Sequence, residues 1–363
     1  MKIPQMEPLI EAEERQAVND YMASGGWLTE HTYTKDFAKT IADYTQSKYG
    51  YIMANGTVSL VAALYACGVR AGMEVIVPAF TMVATANAVE LLGATVKFVD
   101  IEPQTLCMDF DKMVAAITPK TQAVIMVTLN GRHPSKIDWF VPYCHERGIW
   151  VIEDAAQALG SWYQGQALGT FGDIGSFSFS APKIITTGQG GALITNNELL
   201  AENISKIRDF GREKPGADHY LTQGWNFKFT DLQAVIGIEQ MKKLPARVER
   251  KKQIMYLYFS LLREVPGIAL FPTYHNGEVL WFMDIYVDNR EGLREYLKAL
   301  GIGSRPVYPA LPTEPVYGQR GEAFSVATTI AKKGLWLPSS LTLKDEEIRL
   351  ICMAVYTYMV KGG

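Results

Sequence analysis

The sequence predicts an α/β protein with a mainly parallel central sheet flanked by helices, followed by a smaller C-terminal α+β domain. Three observations predict it. Short β-branched apolar runs alternate with helix-patterned segments, the signature of strand–helix–strand units. Beyond about residue 240 the alternation gives way to a long helical pattern, one strand and two further helices. The chain has 363 residues, 48% of them hydrophobic, enough for about two domains with real cores. The expected division is 1–243 and 244–363.

The elements follow in order. "ANGTVSLVAALYACG" (54–68) reads as a helix opening at Asn55-Gly56-Thr57, and "EVIVP" (74–78) as a strand. "TANAVELLG" (85–93) is helical with a glycine stop, and "TVKFVD" (95–100) is a strand. "FDKMVAAI" (110–117) is a helix and "QAVIMVT" (122–128) a strand. The segment 135–148 is helical, kinked or split at Pro142, and "IWVIED" (149–154) is a strand ending in two acids. In "SFSFSAPK" (176–183) Phe177 and Phe179 face one way and the serines the other, with Pro182 expected to end the ladder. "ALIT" (192–195) is the next strand, with Asn196-Asn197 as its turn. Past the expected boundary, a helix starting at Pro245, a strand over 278–288, and helices over 290–301 and 345–359 complete the chain.

Composition narrows the function. A net charge of -3 and a pI near 6.0 give no basic signature for nucleic acid. Val75 to Phe98 is the most apolar stretch, but Pro78, Asn87, Glu90 and Gly93 break it, so no membrane span is expected. The N-terminal residues contain no apolar leader core. Cys67, Cys107, Cys144 and Cys352 are scattered without C-x-x-C spacing, which suits a reducing cytoplasm, and five histidines offer little for a metal site.

Three features gather where strands end, the side on which parallel α/β sheets bind ligands. Asn55-Gly56-Thr57 opens a helix whose free N–H groups suit a phosphate. Asp154 closes a buried strand with Gln157 three residues on, and a buried carboxylate wants a cation. Ser178 and Lys183 add a hydroxyl and an amine beside Gly188, Gly190 and Gly191. Taken singly, each has an ordinary reading: a capped helix start, a helix N-cap, a solvated loop lysine. Together they suggest pyridoxal 5'-phosphate, which an amine can hold through its aldehyde and a carboxylate through its ring nitrogen. Phe80, in "PAFTMVAT", could stack on the ring or be a core aromatic.

These stretches, with "GGWLTE", "GATVKFVDIEP", "GWNFKFTDLQAVIG" and "LPSSLTLKDEE", occur in the order and spacing of the DegT/StrS aminotransferases, which the whole chain resembles. The resemblance implies the fold-type I architecture of pyridoxal-phosphate enzymes. It implies that Lys183 carries the cofactor, Asp154 holds the pyridinium nitrogen, Gln157 lies near the ring oxygen and Phe80 stacks on the ring. It makes Asn55, Gly56, Thr57 and Ser178 the phosphate site, joined by Asn226 from a second subunit of a homodimer with shared sites. It further implies glutamate as donor and a nucleotide-linked keto sugar as acceptor. "KIITTGQGG" and "RPVYPALPTEPVYG" are most similar to the branch that aminates a GDP-linked 4-keto-6-deoxymannose, and UDP- and dTDP-linked sugars are the alternatives. His133, Arg305 and Tyr308 are the candidates on the sugar-nucleotide side. Gln189, Ser180-Ala181 and "NGRHP" (130–134) depart from the common family pattern there. A related sugar dehydratase would carry histidine in place of Lys183, a regulatory protein would have no use for the three features together, and no G-x-G-x-x-G marks a nicotinamide site.

Overall fold

The computed structural model describes residues 2–271, 277–318 and 323–361. Nine strands lie in the first part of the chain: β1 (Tyr49–Met53), β2 (Glu74–Pro78), β3 (Thr95–Val99), β4 (Thr121–Val127), β5 (Trp150–Asp154), the short hairpin β6 (Trp162–Tyr163) and β7 (Gln166–Ala167), β8 (Ile174–Ser178) and β9 (Gly191–Thr195). Seven of them form one sheet in the order β1-β9-β8-β5-β4-β2-β3. Every pairing from β8 to β3 is parallel, and β9 runs antiparallel to both its neighbours. The mainly parallel α/β sheet expected from the sequence is therefore present.

After α1 (Ala12–Ala23), both faces are covered by α2 (Thr32–Thr45), α3 (Gly56–Ala66), α4 (Ala84–Glu90), α5 (Phe110–Ala116), α6 (Ile137–His145) and α7 (Glu198–Ile207). Side-chain alternation along β2 decides what goes where. Val75 and Val77 join Leu60, Leu64, Val89 and Ile204 on one face, while Ile76 joins Phe37, Ile41 and Phe140 on the other. That is why the strands read as unbroken apolar runs.

Proline accounts for the departures from the expected boundaries. The helix expected to begin at Pro245 is the second half of α8 (Asp231–Leu262), a 32-residue helix with Pro245 inside it. Thr230 is its cap, accepting a bond from the Gln233 N–H, so the helix starts well before the proline. Pro142 likewise lies inside α6 and does not split it. The β8 ladder ends at Ser178, paired with Gly191, well before Pro182. Pro182 sits in the turn closed by the Lys183 N–H on the Ser180 carbonyl. Asn197 caps α7 rather than serving only as a turn.

The rest of the chain builds β10 (Asp284–Tyr286), α9 (Arg290–Ala299), β11 (Arg305–Pro306), α10 (Ser325–Lys333), β12 (Gly334–Trp336) and α11 (Asp345–Lys361), with an antiparallel sheet in the order β10-β12-β11. Of the strand expected over 278–288, only Asp284–Tyr286 forms a ladder. This part has its own core of Tyr258, Leu262, Ile285, Leu293, Leu335 and Val355. The expected boundary at 243/244 falls within α8, and Ile3 bridges to Ile302 and joins the C-terminal core. Among the described residues no helix is long and apolar enough to cross a membrane.

Candidate active site

The site begins with a helix terminus. Asn55 caps α3 through its side-chain oxygen, which accepts from the Val58 N–H at 3.0 Å. The N–H groups of Gly56 and Thr57 find no acceptor among the described residues, so the first turn presents free donors and the positive end of the helix dipole. Ser178, at the end of β8, closes the same spot. A Cβ on Gly56 would stand 3.1 Å from the Ser178 Cβ, so glycine is what lets helix and strand meet. The arrangement is an anion cradle made of backbone and one hydroxyl.

Asp154, at the end of β5, is 6% exposed. Its Oδ2 accepts from the Thr85 hydroxyl at 2.8 Å and its Oδ1 from the Ala156 N–H at 3.2 Å. Burial nevertheless raises its pKa above the ordinary carboxylate value, against the pull of Thr85, Ala156 and the charge of Lys183. Among the described residues no lysine, arginine or histidine makes an ion pair with it. A buried carboxylate in this condition is one cation short, and a protonated ring nitrogen supplies one.

Lys183 is half-buried, with its amine turned into a small cavity lined by Gln157, Ser178, Lys251 and Trp281. Its Nζ lies 4.0 Å from the centre of the Trp281 ring. The Trp281 indole N–H donates to the Pro182 carbonyl at 2.7 Å and ties the ring to the lysine's own turn. Two effects compete at the amine. The ring face favours the charged form by about 0.5–2 kcal/mol, roughly one pKa unit. Desolvation, with a contribution from Arg305, disfavours it and wins over Asp154, pushing the pKa from 10.5 down to about 8. The outcome is an amine that gives up its proton more readily than an ordinary lysine.

Gln157 follows Asp154 in the turn after β5. Its Oε1 accepts from the Asn130 N–H at 2.6 Å, and its Nε2 lies 3.4 Å from the Tyr308 hydroxyl. Asn130 adopts a left-handed backbone, with φ 55°, and exchanges side-chain bonds with both the carbonyl and the N–H of Phe282. Beside it, a Cβ on Gly131 would fall 2.1 Å from the Val279 carbonyl oxygen, so only glycine fits. Tyr308 is buried edge-on to Trp336, at 4.9 Å between centroids, and burial holds its hydroxyl well above the ordinary phenol range. Arg305 is exposed, 5.4 Å from the Trp336 ring centre and 5.9 Å from that of Tyr308.

The structure thus gathers Asp154, Gln157, Ser178, Lys183, Tyr308 and Arg305 in one region, with Asn55, Gly56 and Thr57 against Ser178. Phe80 is 2% exposed and sits in the core cluster on that face of the sheet. His133 is not brought to Lys183. It is buried against Tyr163 at 4.1 Å between ring centroids, with its Nδ1 2.8 Å from the Pro134 carbonyl and its Nε2 3.7 Å from Glu278. Asn226 is exposed on the loop before α8, and its backbone bridges to Asp209. The sequence did not single out Thr85, Lys251 or Trp281, and Asn130 entered only as the first residue of "NGRHP". Thr85 and Lys251 are hidden in helical patterns, and Trp281 in an apolar run. Only Asn130-Gly131, a turn signal after a strand, carried a mark that could have been read.

A phosphate cradle, a carboxylate lacking its cation and a desolvated amine fit pyridoxal 5'-phosphate, and on this fold they define a pyridoxal-phosphate-dependent transferase. Comparison with known proteins narrows the class. Residues 8–356 match the DegT/DnrJ/EryC1/StrS aminotransferase family, to which the chain belongs. The chain is 32% identical over 361 residues to GDP-perosamine synthase of Escherichia coli O157:H7, with 97% of each covered. It is 30% identical over 363 residues to dTDP-4-dehydro-2,3,6-trideoxy-D-glucose 4-aminotransferase of Saccharopolyspora spinosa, covering 95% and 94% of the two chains. The putative sugar aminotransferase Spr1654 of Streptococcus pneumoniae, in its PMP form, superposes with a TM-score of 0.93 at 28% identity, over 99% of this chain and 98% of that one. The protein is a pyridoxal-phosphate-dependent sugar aminotransferase.

Proposed function

We propose that the chain moves an amino group from glutamate to a nucleotide-linked 4-keto-6-deoxy sugar, with GDP-4-keto-6-deoxymannose as acceptor and GDP-perosamine as product. The observation that carries the acceptor is the likeness to a GDP-perosamine synthase at 32% identity over 97% of both chains. The observation that favours a second reading, a dTDP-linked deoxy sugar, is the 30% identity to the Saccharopolyspora spinosa enzyme.

In this reading Lys183 holds the cofactor, and Asp154 faces its ring nitrogen. Ser178 and the α3 terminus bind its phosphate, and Gln157 with Phe80 bounds the ring. The cofactor supplies an electron sink that stabilises negative charge at the carbon losing its proton. With the cofactor bound, the Lys183 amine would be the base that takes and returns a proton at that carbon; in the chain itself its pKa is lowered to about 8 by burial. Trp281 and Ile184 line the cavity beside it. Arg305, exposed at the rim, meets the diphosphate of the sugar nucleotide, and Tyr308 stands beside the sugar. The working unit is a cytoplasmic homodimer in which the partner's Asn226 completes the phosphate site. Residues 1–243 carry the cofactor, and 244–363 form the smaller domain.

The test is turnover. The protein is incubated with glutamate and a panel of GDP-, UDP- and dTDP-linked keto sugars, and 2-oxoglutarate and product mass are followed. Turnover with the GDP-linked 4-keto sugar supports the reading, and turnover confined to a dTDP- or UDP-linked sugar replaces it with the second. Mixing Lys183→Ala chains with Asn226→Trp chains, each inactive alone, restores activity if sites are shared. A fully active monomer would overturn the dimer.

A further inference from the structure

Lys251, a buried lysine, lines the same cavity as the half-buried Lys183. It projects from α8, is 3% exposed, and makes no ion pair with a carboxylate among the described residues. Its Nζ donates instead to two backbone carbonyls, Trp281 at 2.7 Å and Ser339 at 2.6 Å. A buried ammonium without an anion is costly, and burial alone pushes its pKa down to about 7. The contact it makes at this cost is with the residue that shapes the reactive amine. Trp281 is held at three points: its carbonyl by Lys251, its N–H at 3.4 Å from the Asn130 carbonyl, and its indole N–H on the Pro182 carbonyl. The ring so fixed lies against Lys183 Nζ.

We propose that Lys251 is a positioning residue: by fixing the Trp281 main chain it holds the indole on the Pro182 turn and thereby sets where the Lys183 amine stands and how readily it reacts. The inference rests on Lys183 being the reactive amine of the proposed function, and not on which sugar is used. The charged and titratable groups that act on Lys183 are Asp154 at the end of β5 and Arg305 on β11, and Lys251 lines the same cavity from α8. When the tether is lost, Trp281 loosens and water reaches the amine. That raises the proton affinity of Lys183 toward that of an ordinary lysine.

The experiment titrates Lys183 in the full-length, cofactor-free chain. Reductive methylation with formaldehyde and cyanoborohydride is followed peptide by peptide by mass spectrometry, with exposed Lys120 as internal reference. In Lys251→Met the Lys183 midpoint is expected to rise by at least one unit, so that labelling at pH 7 falls about ten-fold. Trp281→Phe, which keeps a ring but loses the N–H to Pro182, should shift it the same way without a charge change. Lys251→Arg, which keeps donors for the two carbonyls, should not raise the midpoint as Lys251→Met does. An unchanged midpoint in folded Lys251→Met, or an equal shift in Lys251→Arg, overturns the proposal. Should Lys251→Met fail to fold, Trp281→Phe decides, and an unchanged midpoint there overturns it. Labelling needs neither sugar nor turnover, so an error about the acceptor leaves this result standing, and a Lys183 that never takes up pyridoxal phosphate in the unsubstituted chain identifies failure of the functional reading instead.

Discussion

Lys183 is acted on by two charges of opposite sign, and they can be separated. Asp154 holds the amine's pKa up, while Arg305 and desolvation hold it down. Asp154→Asn keeps an oxygen for the Thr85 hydroxyl but loses the charge, so the Lys183 titration should move below about 8. Arg305→Ala should move it up, by less, because Arg305 is exposed and screened by water. Labelling midpoints check both signs. Asp154→Asn should also cut amino transfer by about a hundred-fold or more, since the electron sink depends on a charge held in a water-poor site. At this scale the sequence was informative where chemistry and chain order coincide. Ser178 and Lys183 are five positions apart in one quoted stretch, and Asp154 and Gln157 share another. It was uninformative where a partner arrives from elsewhere. Thr85 reaches Asp154 across 69 positions, and nothing in "TANAVELLG" distinguishes that hydroxyl from an ordinary polar face. His133, a candidate on the sugar side in "NGRHP", lies against Tyr163 and near Glu278.

In the proposed function the α3 terminus binds phosphate through its backbone, so side-chain substitutions there act through fit. Asn55→Ala removes the bond to the Val58 N–H and should cost about 1 kcal/mol of stability, measured by the shift of the urea midpoint. Gly56→Val should do more to binding than to folding. Its Cβ meets Ser178 at 3.1 Å, and opening the cradle by a strain of about 1–3 kcal/mol should weaken pyridoxal phosphate at least five-fold. Spectroscopic titration of the cofactor-free protein reads that loss, and undiminished affinity would remove this terminus from the phosphate site. Elements were legible by hydrophobic period, which is why β2, β4 and β5 fell within a residue of expectation. Prolines were the weak signal. A proline removes one donor, and whether that ends an element depends on whether neighbours compensate. At Pro245 the 32-residue α8 is held along its length by Leu244, Arg247 and Lys251, all buried, so the helix continues.

At the scale of the whole molecule, the two parts of the chain are joined by a buried pair that no periodicity could announce. Arg132, just after the Asn130-Gly131 turn, is 2% exposed and grips Asp284 of β10 with two bonds, at 2.7 and 2.9 Å. The Tyr286 hydroxyl donates to the same carboxylate at 2.8 Å, and Arg132 reaches the Phe271 carbonyl at 3.2 Å. Since Asn130 holds Gln157, this seam reaches from the C-terminal sheet to the rim of the site. Desolvating two charges roughly cancels their attraction, so such a pair adds little net stability, while losing one partner strands the other. Arg132→Met should therefore lower unfolding stability by about 3–5 kcal/mol, and Arg132→Met with Asp284→Leu should recover most of that loss. The second half of the comparison is what tests the idea. If the double substitution is as unstable as the single, the pair holds the parts together by attraction. If stability returns but pyridoxal phosphate affinity does not, the pair is present for geometry. The latter is the expected result, because apolar side chains can fill the space of Arg132 and Asp284 but cannot fix the direction in which Asn130 presents its N–H to Gln157.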